Sequence, residues 1–254
     1  NVVIEEGSES NFFESYYLKE FLVVNTTDPD EDSFTVFDNN ILYKNNTLEY
    51  STIPFSIEIL DFYDNCKPAR RIYKGEETFQ GMAKNFFLQE IDSEKEFEKN
   101  ISGIIYRIIG AGENDGIYIN YIGQPITETI NQNGESFLLI LRRQRTYLPF
   151  SLELIDFRKV LHAGTNVAKS YSSEINIMEN GIARKILIEM NEPLRHRGYT
   201  FYQASFIDGL DKETTVLATV KNHGRLFPYV SSIIMSIGLL IHLLMSLPKM
   251  LRKQ

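Results

Sequence analysis

Residues 228–247 carry no formal charge and are bracketed by Pro228 and Pro248. A helix of that length rises about 1.5 Å per residue and covers roughly 30 Å, the depth of a bilayer's hydrocarbon core. Lys249, Arg252 and Lys253 follow with no acid among them. The positive-inside rule therefore puts the tail in the cytoplasm and residues 1–225 outside it, with Lys221 and Arg225 as a weaker opposing pair. Within the span Ser231, Met235, Gly238, His242 and Met245 recur at spacings of four and three, so they share one face. Small residues on such a face let membrane helices approach closely. His242 is ionisable inside a membrane, which makes it a functional candidate; the structural alternative is a neutral histidine bonded across a helix interface.

Outside that span the chain reads as strands. It has 254 residues, enough for a sizeable core, and its aromatic residues are all Tyr and Phe with no Trp. A net charge of −8 argues against a nucleic-acid partner. The single cysteine, Cys66, excludes an internal disulfide, a four-cysteine zinc site and a Cys-x-x-Cys-His haem attachment. The chain opens at Asn1, directly into Val2-Val3-Ile4, and is expected to be a fragment whose earlier membrane spans are missing.

A ten-residue echo organises the β-rich part. Ile53-Pro-Phe-Ser-Ile-Glu-Ile-Leu-Asp-Phe62 returns as Leu148-Pro-Phe-Ser-Leu-Glu-Leu-Ile-Asp-Phe157, differing only by exchange of Ile and Leu. Phe55, Ile57 and Ile59 alternate with Ser56 and Glu58, as Phe150, Leu152 and Leu154 do with Ser151 and Glu153. The echo predicts two related β-rich halves, each with a proline-opened strand and its phenylalanine facing the core. Glu58 and Glu153 sit on the polar face of any half-buried strand, so a carboxylate pair for catalysis is the weaker reading.

Several local expectations complete the pass. Asp28-Pro-Asp-Glu-Asp32 reads as a solvated turn without the full calcium-loop pattern. Asn45-Asn46 predicts a hairpin turn, and residues 79–99 a helix weakened by Gly81. Gly110-Ala-Gly-Glu-Asn-Asp-Gly116 lacks the Lys-Ser/Thr of a phosphate loop and reads as a turn. Arg142, Arg143 and Arg145 suit a solvated strand end, or else contact with lipid phosphates or haem propionates. Met190 to Phe206 predicts an aromatic hairpin at the centre of a sheet. Pro193 ends the preceding strand, Gly198 makes the turn, and Arg195, His196 and Arg197 form the tip. The resulting division is 1–99, 100–225, a membrane helix at 226–248 and a tail at 249–254.

Asn191-Glu-Pro-Leu-Arg-His-Arg-Gly-Tyr-Thr-Phe-Tyr-Gln-Ala-Ser-Phe206 closely resembles the signature of ResB (also called CcsB), a membrane protein of type II cytochrome c maturation. Leu141-Arg-Arg-Gln-Arg-Thr-Tyr-Leu-Pro-Phe-Ser-Leu-Glu-Leu-Ile-Asp-Phe157 looks like a second block. So does the tract from Gly164-Thr165 to Tyr171-Ser172-Ser173, and a further resemblance runs from Thr215-Val216-Leu217 to His242. These blocks cover roughly residues 137–245 in the family's order. The chain departs from it at His162-Ala163, in place of Tyr-Pro, and at His196, in place of an aromatic residue.

The resemblance implies a subunit in the bacterial cytoplasmic membrane, with most of the chain extracytoplasmic. It would support haem delivery and cytochrome c assembly beside a CcsA-type partner, meeting apocytochrome c only indirectly. Haem would be held by the complex and not by this chain alone, with His242 as one axial ligand and Arg195 and Arg197 facing the cofactor. The Trp-rich haem-presenting motif belongs to the partner, and this chain has no Trp. A membrane-anchored β-domain acting as adaptor or ligand-binding module stays open beside this reading. An autonomous enzyme finds no support, since no Ser-His-Asp elbow or His-Glu-x-x-His is present.

Overall fold

The structure is a computed structural model that describes all residues except 73–77, 166–167, 210–211, 223, 225 and 252–254, and no side chains at 168 or 246–251. Its strands are β1 (Val2–Glu5), β2 (Glu9–Asn25), β3 (Ser33–Asp38), β4 (Thr47–Leu48), β5 (Ser56–Tyr63), β6 (Cys66–Arg70), β7 (Phe86–Glu90) and β8 (Gly103–Ile109). They continue as β9 (Gly116–Tyr121), β10 (Glu128–Gln132), β11 (Glu135–Leu161), β12 (Ala168–Glu179), β13 (Ile182–Glu189), β14 (Leu194–His196), β15 (Tyr199–Ile207) and β16 (Thr214–Lys221). One helix, α1 (Phe227–Leu251), follows them. The mainly β fold with a C-terminal apolar helix is the class the residues predict.

The chain divides into two compact units, Asn1 with Phe12–Leu148, and Val2–Asn11 with Pro149–Gln254. The boundary expected at 99/100 lies inside the first unit. The reason is pairing: β8 and β9 lie after that point, yet β8 is the antiparallel partner of β5 before it.

In the first unit β4-β5-β8-β9 form one sheet; β3 pairs β2, β10 pairs β11, and β2 and β11 are neighbours. Phe21, Phe55, Ile57, Ile59, Tyr106 and Phe137 are among the buried side chains that make its core. Tyr106 is wholly buried, and its hydroxyl donates to Asn120 Oδ1 at 2.6 Å, while Asn120 Nδ2 donates to Leu139 O at 3.0 Å. That relay leaves no polar atom of either side chain stranded, which would otherwise cost about 1–3 kcal/mol.

The helix expected over residues 79–99 is absent. A short 3₁₀ turn, Gly81–Lys84, leads into β7, and a second turn occupies Phe97–Lys99. Leu88 alone of β7 is buried, packing with Cys66 and Ala83, so the stretch presents one apolar point and not a helical stripe. At Asn45 the predicted turn forms with φ of 64°, but residues 42–44 are not a strand; Thr47 and Leu48 pair instead with Glu58 and Ile57 of β5.

In the second unit β1-β16-β15-β14 form one sheet, and β11 pairs β12, which pairs β13. The aromatic hairpin therefore stands at a sheet edge through β14, not at the centre, while β15 is internal. Pro149 does not open a strand as Pro54 does; it lies inside β11, between the β10 ladder ending at Leu139 and the β12 ladder beginning at Ser151.

Helix α1 starts with Pro228 in its first turn, where a missing N–H costs nothing, and continues past Pro248 to Leu251, three residues beyond the expected end. Phe227–Met245 is long and apolar enough to cross a membrane and has none of its length buried. Ser231 and Ser232 donate to Pro228 O and Ser236 to Ser232 O, at 2.8–2.9 Å, so these hydroxyls are satisfied within the helix. Exposed side chains such as Ile234, Leu239 and Leu244 then have lipid as their natural solvent.

Candidate functional site

The hairpin of β14 and β15 builds the site. Its register closes His196 against Tyr199, leaving Arg197 and Gly198 as the two turn residues, with φ of 50° and 81°. Positive φ at both positions defines a type I′ turn, whose twist matches the strands it joins. Glycine adopts it freely, whereas an arginine there costs about 1–2 kcal/mol unless something holds it. Glu179, the last residue of β12, supplies the hold. Arg197 Nη2 donates to Glu179 Oε1 at 2.5 Å, and His196 Nε2 donates to Glu179 Oε2 at 3.0 Å. The Arg197 hydrogen bond, helped by its charge and by His196, keeps the Glu179 carboxyl below the usual carboxylate range against a smaller opposing effect of burial. Beneath the tip, Phe150 meets the edge of His196 at 4.7 Å and of Phe201 at 6.1 Å.

An open cavity of about 510 Å³ lies beside this tip. Arg195, Arg197 and Thr200 line it from the hairpin, Asn222 from the end of β16, and Pro228 and Tyr229 from the first turn of α1. Among the described residues Arg195 has no ion-pair partner, while Arg197 is half neutralised by Glu179. Lys221 lies outside the lining, across the ladder from Tyr199, with its Nζ 5.5 Å from the centre of that ring. Two arginines thus line the cavity with no carboxylate in its lining, where the chain passes from the β-unit into its apolar helix.

The other candidates fall elsewhere. His242 is exposed on α1, thirteen residues beyond Tyr229 and so roughly 20 Å along the axis. One porphyrin does not reach from an iron at His242 to propionates at Arg195 and Arg197, so the structure does not bring these residues into one site. Among the described residues no group of three or more metal-ligating side chains forms, so His242 offers a single ligand. His162 is exposed beyond the end of β11, and His223 lies outside the described residues.

Arg142, Arg143 and Arg145 are half-buried inside β11, not at its end, and each is already engaged. Arg142 pairs with buried Glu20 at 2.7 Å and Arg145 with Glu14 at 3.0 Å. Arg143 lies 4.5 Å over the Tyr16 ring and donates to Glu98 O. Glu58 pairs with Arg107, and Glu153 accepts a hydrogen bond from Asn176, so each carboxylate is occupied in its own sheet. The acidic loop is a turn in which Asp30 N donates to Asp28 Oδ1.

Sequence reading missed Glu179 and a buried ring of hydrogen bonds. Ser173 Oγ donates to Gln203 Oε1 at 2.7 Å, Gln203 Nε2 donates to Thr215 Oγ1 at 2.8 Å, and the Thr215 hydroxyl closes the ring on Ser173 Oγ at 2.8 Å. Each residue comes from a different block of the ResB resemblance, and each is buried. Burial makes a closed ring worth more than separate bonds, and an opened one costly. The signal was present in three polar residues inside otherwise strand-like stretches, but only the fold shows that they meet.

Fold and site together define a mainly β protein carried on one apolar C-terminal helix, with a cationic cavity where the two join. Against known families, residues 123–223 match the ResB-like family, which belongs to cytochrome c biogenesis. The match contains the hairpin, Glu179 and all three members of the buried ring. No curated protein matches the sequence.

Proposed function

We propose that this chain is the extracytoplasmic part and adjoining membrane span of a ResB-like subunit that supports haem delivery and cytochrome c assembly beside a CcsA-type partner. The observation that carries the reading is the ResB-like match over residues 123–223, followed directly by a helix suited to a bilayer. The subunit sits in the bacterial cytoplasmic membrane with its C-terminus inside and its β-units outside, as the Lys249, Arg252 and Lys253 tail favours. Haem belongs to the complex. His242 provides one axial ligand within the span, the other coming from another span or from the partner. Arg195 and Arg197 serve a separate purpose at the outer mouth, recognition of an anionic group.

The test is to co-express the whole protein that carries this chain with a CcsA-type partner and measure haem covalently attached to a reporter cytochrome. Attachment should require both proteins, and His242→Ala should reduce complex-bound haem while the β-units stay folded. Undiminished attachment without this protein would overturn the function. Full haem retention in His242→Ala would remove the ligand role alone.

A further inference from the structure

We infer that the cavity between the β14–β15 hairpin and the first turn of α1 holds the phosphate headgroup of an anionic phospholipid from the leaflet facing the β-units. The inference rests on α1 crossing a membrane, and three observations point to it.

The first is position. The cavity is lined by Pro228 and Tyr229 of the first helical turn, where a spanning helix enters the headgroup layer. Leu226 and Phe227 stand exposed immediately beside it, as residues meeting acyl chains would. Tyrosines at this depth are the usual interfacial anchors, apolar along the ring and polar at the tip.

The second is charge. Arg195 and Arg197 line the cavity and no carboxylate does, although the whole chain is acidic at −8. An excess of cations in one pocket of an acidic protein is a local feature that net charge does not explain. Guanidinium groups suit phosphate because their planar forks donate two parallel hydrogen bonds.

The third is preorganisation. Glu179 and Phe150 fix the hairpin tip, so Arg195 is presented from a strand whose position is already set. Thr200 and Asn222 add neutral polar side chains to the same lining, which suits the glycerol and ester oxygens of a headgroup. The roughly 20 Å between this cavity and His242 leaves the arginines without a part in ligating iron there.

The test uses the full chain in nanodiscs of phosphatidylcholine, with and without phosphatidylglycerol. After transfer to mild detergent, the lipids that remain bound are identified by native mass spectrometry. Phosphatidylglycerol should be retained in preference to phosphatidylcholine. Arg195→Gln should lower that preference about fivefold, the effect of one basic residue at an anionic surface. Arg195→Lys should keep part of it, and circular dichroism should show both variants folded. Equal retention of the two lipids overturns the inference, as does unchanged preference in the Arg195→Gln, Arg197→Gln double variant. Displacement by millimolar inorganic phosphate would show that the site reads free phosphate and not a lipid. Failure to enter either nanodisc would instead remove the membrane crossing on which the inference rests.

Discussion

The strand around Phe55 and the strand around Phe150 are alike to a finer level than their residues suggest. Both bury their alternating apolar side chains, and both carry a β-bulge at the same place, after Ile59 and after Leu154. Each bulge is gripped from one side by a turn of the same design. Asn45 N donates to Ile59 O and Ile59 N to Asn46 O; Gly7 N donates to Leu154 O and Leu154 N to Ser8 O. Asn45 and Gly7 both have positive φ, 64° and 77°. The repeat therefore extends to turns whose residues share little. What differs is the use of the phenylalanine. Phe55 meets the edge of Phe137 inside an apolar core, while Phe150 supports the hairpin that carries the arginines. The larger cavity near Phe55, about 660 Å³, has Glu49 as its only charged lining residue. One strand design thus serves stability in the first unit, and both stability and presentation of a site in the second.

The most severe way to break this comparison is to remove the two phenylalanines. Phe55→Ala and Phe150→Ala should each cost about 3–5 kcal/mol, the usual range for emptying a buried aromatic site. Their consequences should differ. Phe150→Ala should expose the backbone at Arg195 and Arg197 to brief trypsin treatment, whereas Phe55→Ala should leave that tip resistant. Equal tryptic sensitivity would show that Phe150 has no special part in holding the hairpin.

A smaller effect tests the turns. Gly7→Asn and Asn45→Gly exchange two residues that both tolerate positive φ, and each should change stability by no more than about 0.5 kcal/mol. Gly7→Val and Asn45→Val should each cost about 1–2 kcal/mol, because a β-branched side chain resists that backbone. The Cβ of a residue at position 7 would meet nothing closer than Lys212 Nζ at 3.8 Å, so the cost there would be conformational and not steric. A large loss in Gly7→Asn, measured by denaturant unfolding in detergent, would mean the two turns are not equivalent.

The echo was legible because period-two alternation and identical residues survive in the sequence, and the core positions of Phe55, Ile57, Phe150 and Leu152 follow from them. The apolar span was legible from composition. The boundary between units was not, because a 27-residue strand runs through it and no loop or glycine-rich linker marks the change at Leu148. Residues 79–99 misled because Phe79, Met82, Phe86 and Phe87 simulate a helical stripe, while β7 is fixed by pairing with β6. In the site, the arginine tip was readable from its signature. Glu179 was not, since nothing local distinguishes it from the chain's other acids until β12 brings it under the turn.

Two acids extend the comparison to pH. Glu128 in the first unit is buried, and burial raises its pKa despite the hydrogen bond from Met82 N and the charge of Lys84. A raised carboxyl pKa stabilises the folded state below the unfolded value near 4.5 and loses that advantage as pH rises through the folded value. Glu128→Gln should therefore stabilise the protein at neutral pH relative to its effect at pH 4. Glu179 in the second unit is lowered, chiefly by Arg197. Its contribution is complete above the unfolded value and disappears as pH falls through the folded one, so Glu179→Gln should loosen the tip at neutral pH and matter least in strong acid. Thermal unfolding across pH 3–8 should give opposite slopes for the two variants. Parallel slopes would mean that one of these environments is wrongly assigned.

The finest contrast lies one residue from each bulge. Glu58 faces Arg107 across β5 and β8, and Glu153 faces Asn176 across β11 and β12, at matching register positions. The first is an ion pair at 2.8 Å with both side chains about one-third exposed; the second is a hydrogen bond at 2.9 Å from a neutral donor. A half-exposed ion pair is worth about 0.2–1 kcal/mol, and salt screens it. Arg107→Asn copies the second unit into the first. It should cost less than about 1 kcal/mol at low salt and nearly nothing in molar salt. Asn176→Arg makes the reverse exchange and should gain a few tenths of a kcal/mol at low salt, since cross-strand opposite charges attract on the same face. Urea unfolding at both salt concentrations would decide it. A loss in Arg107→Asn that persists in high salt would show that the arginine's packing, and not its charge, maintains the difference between the two strands.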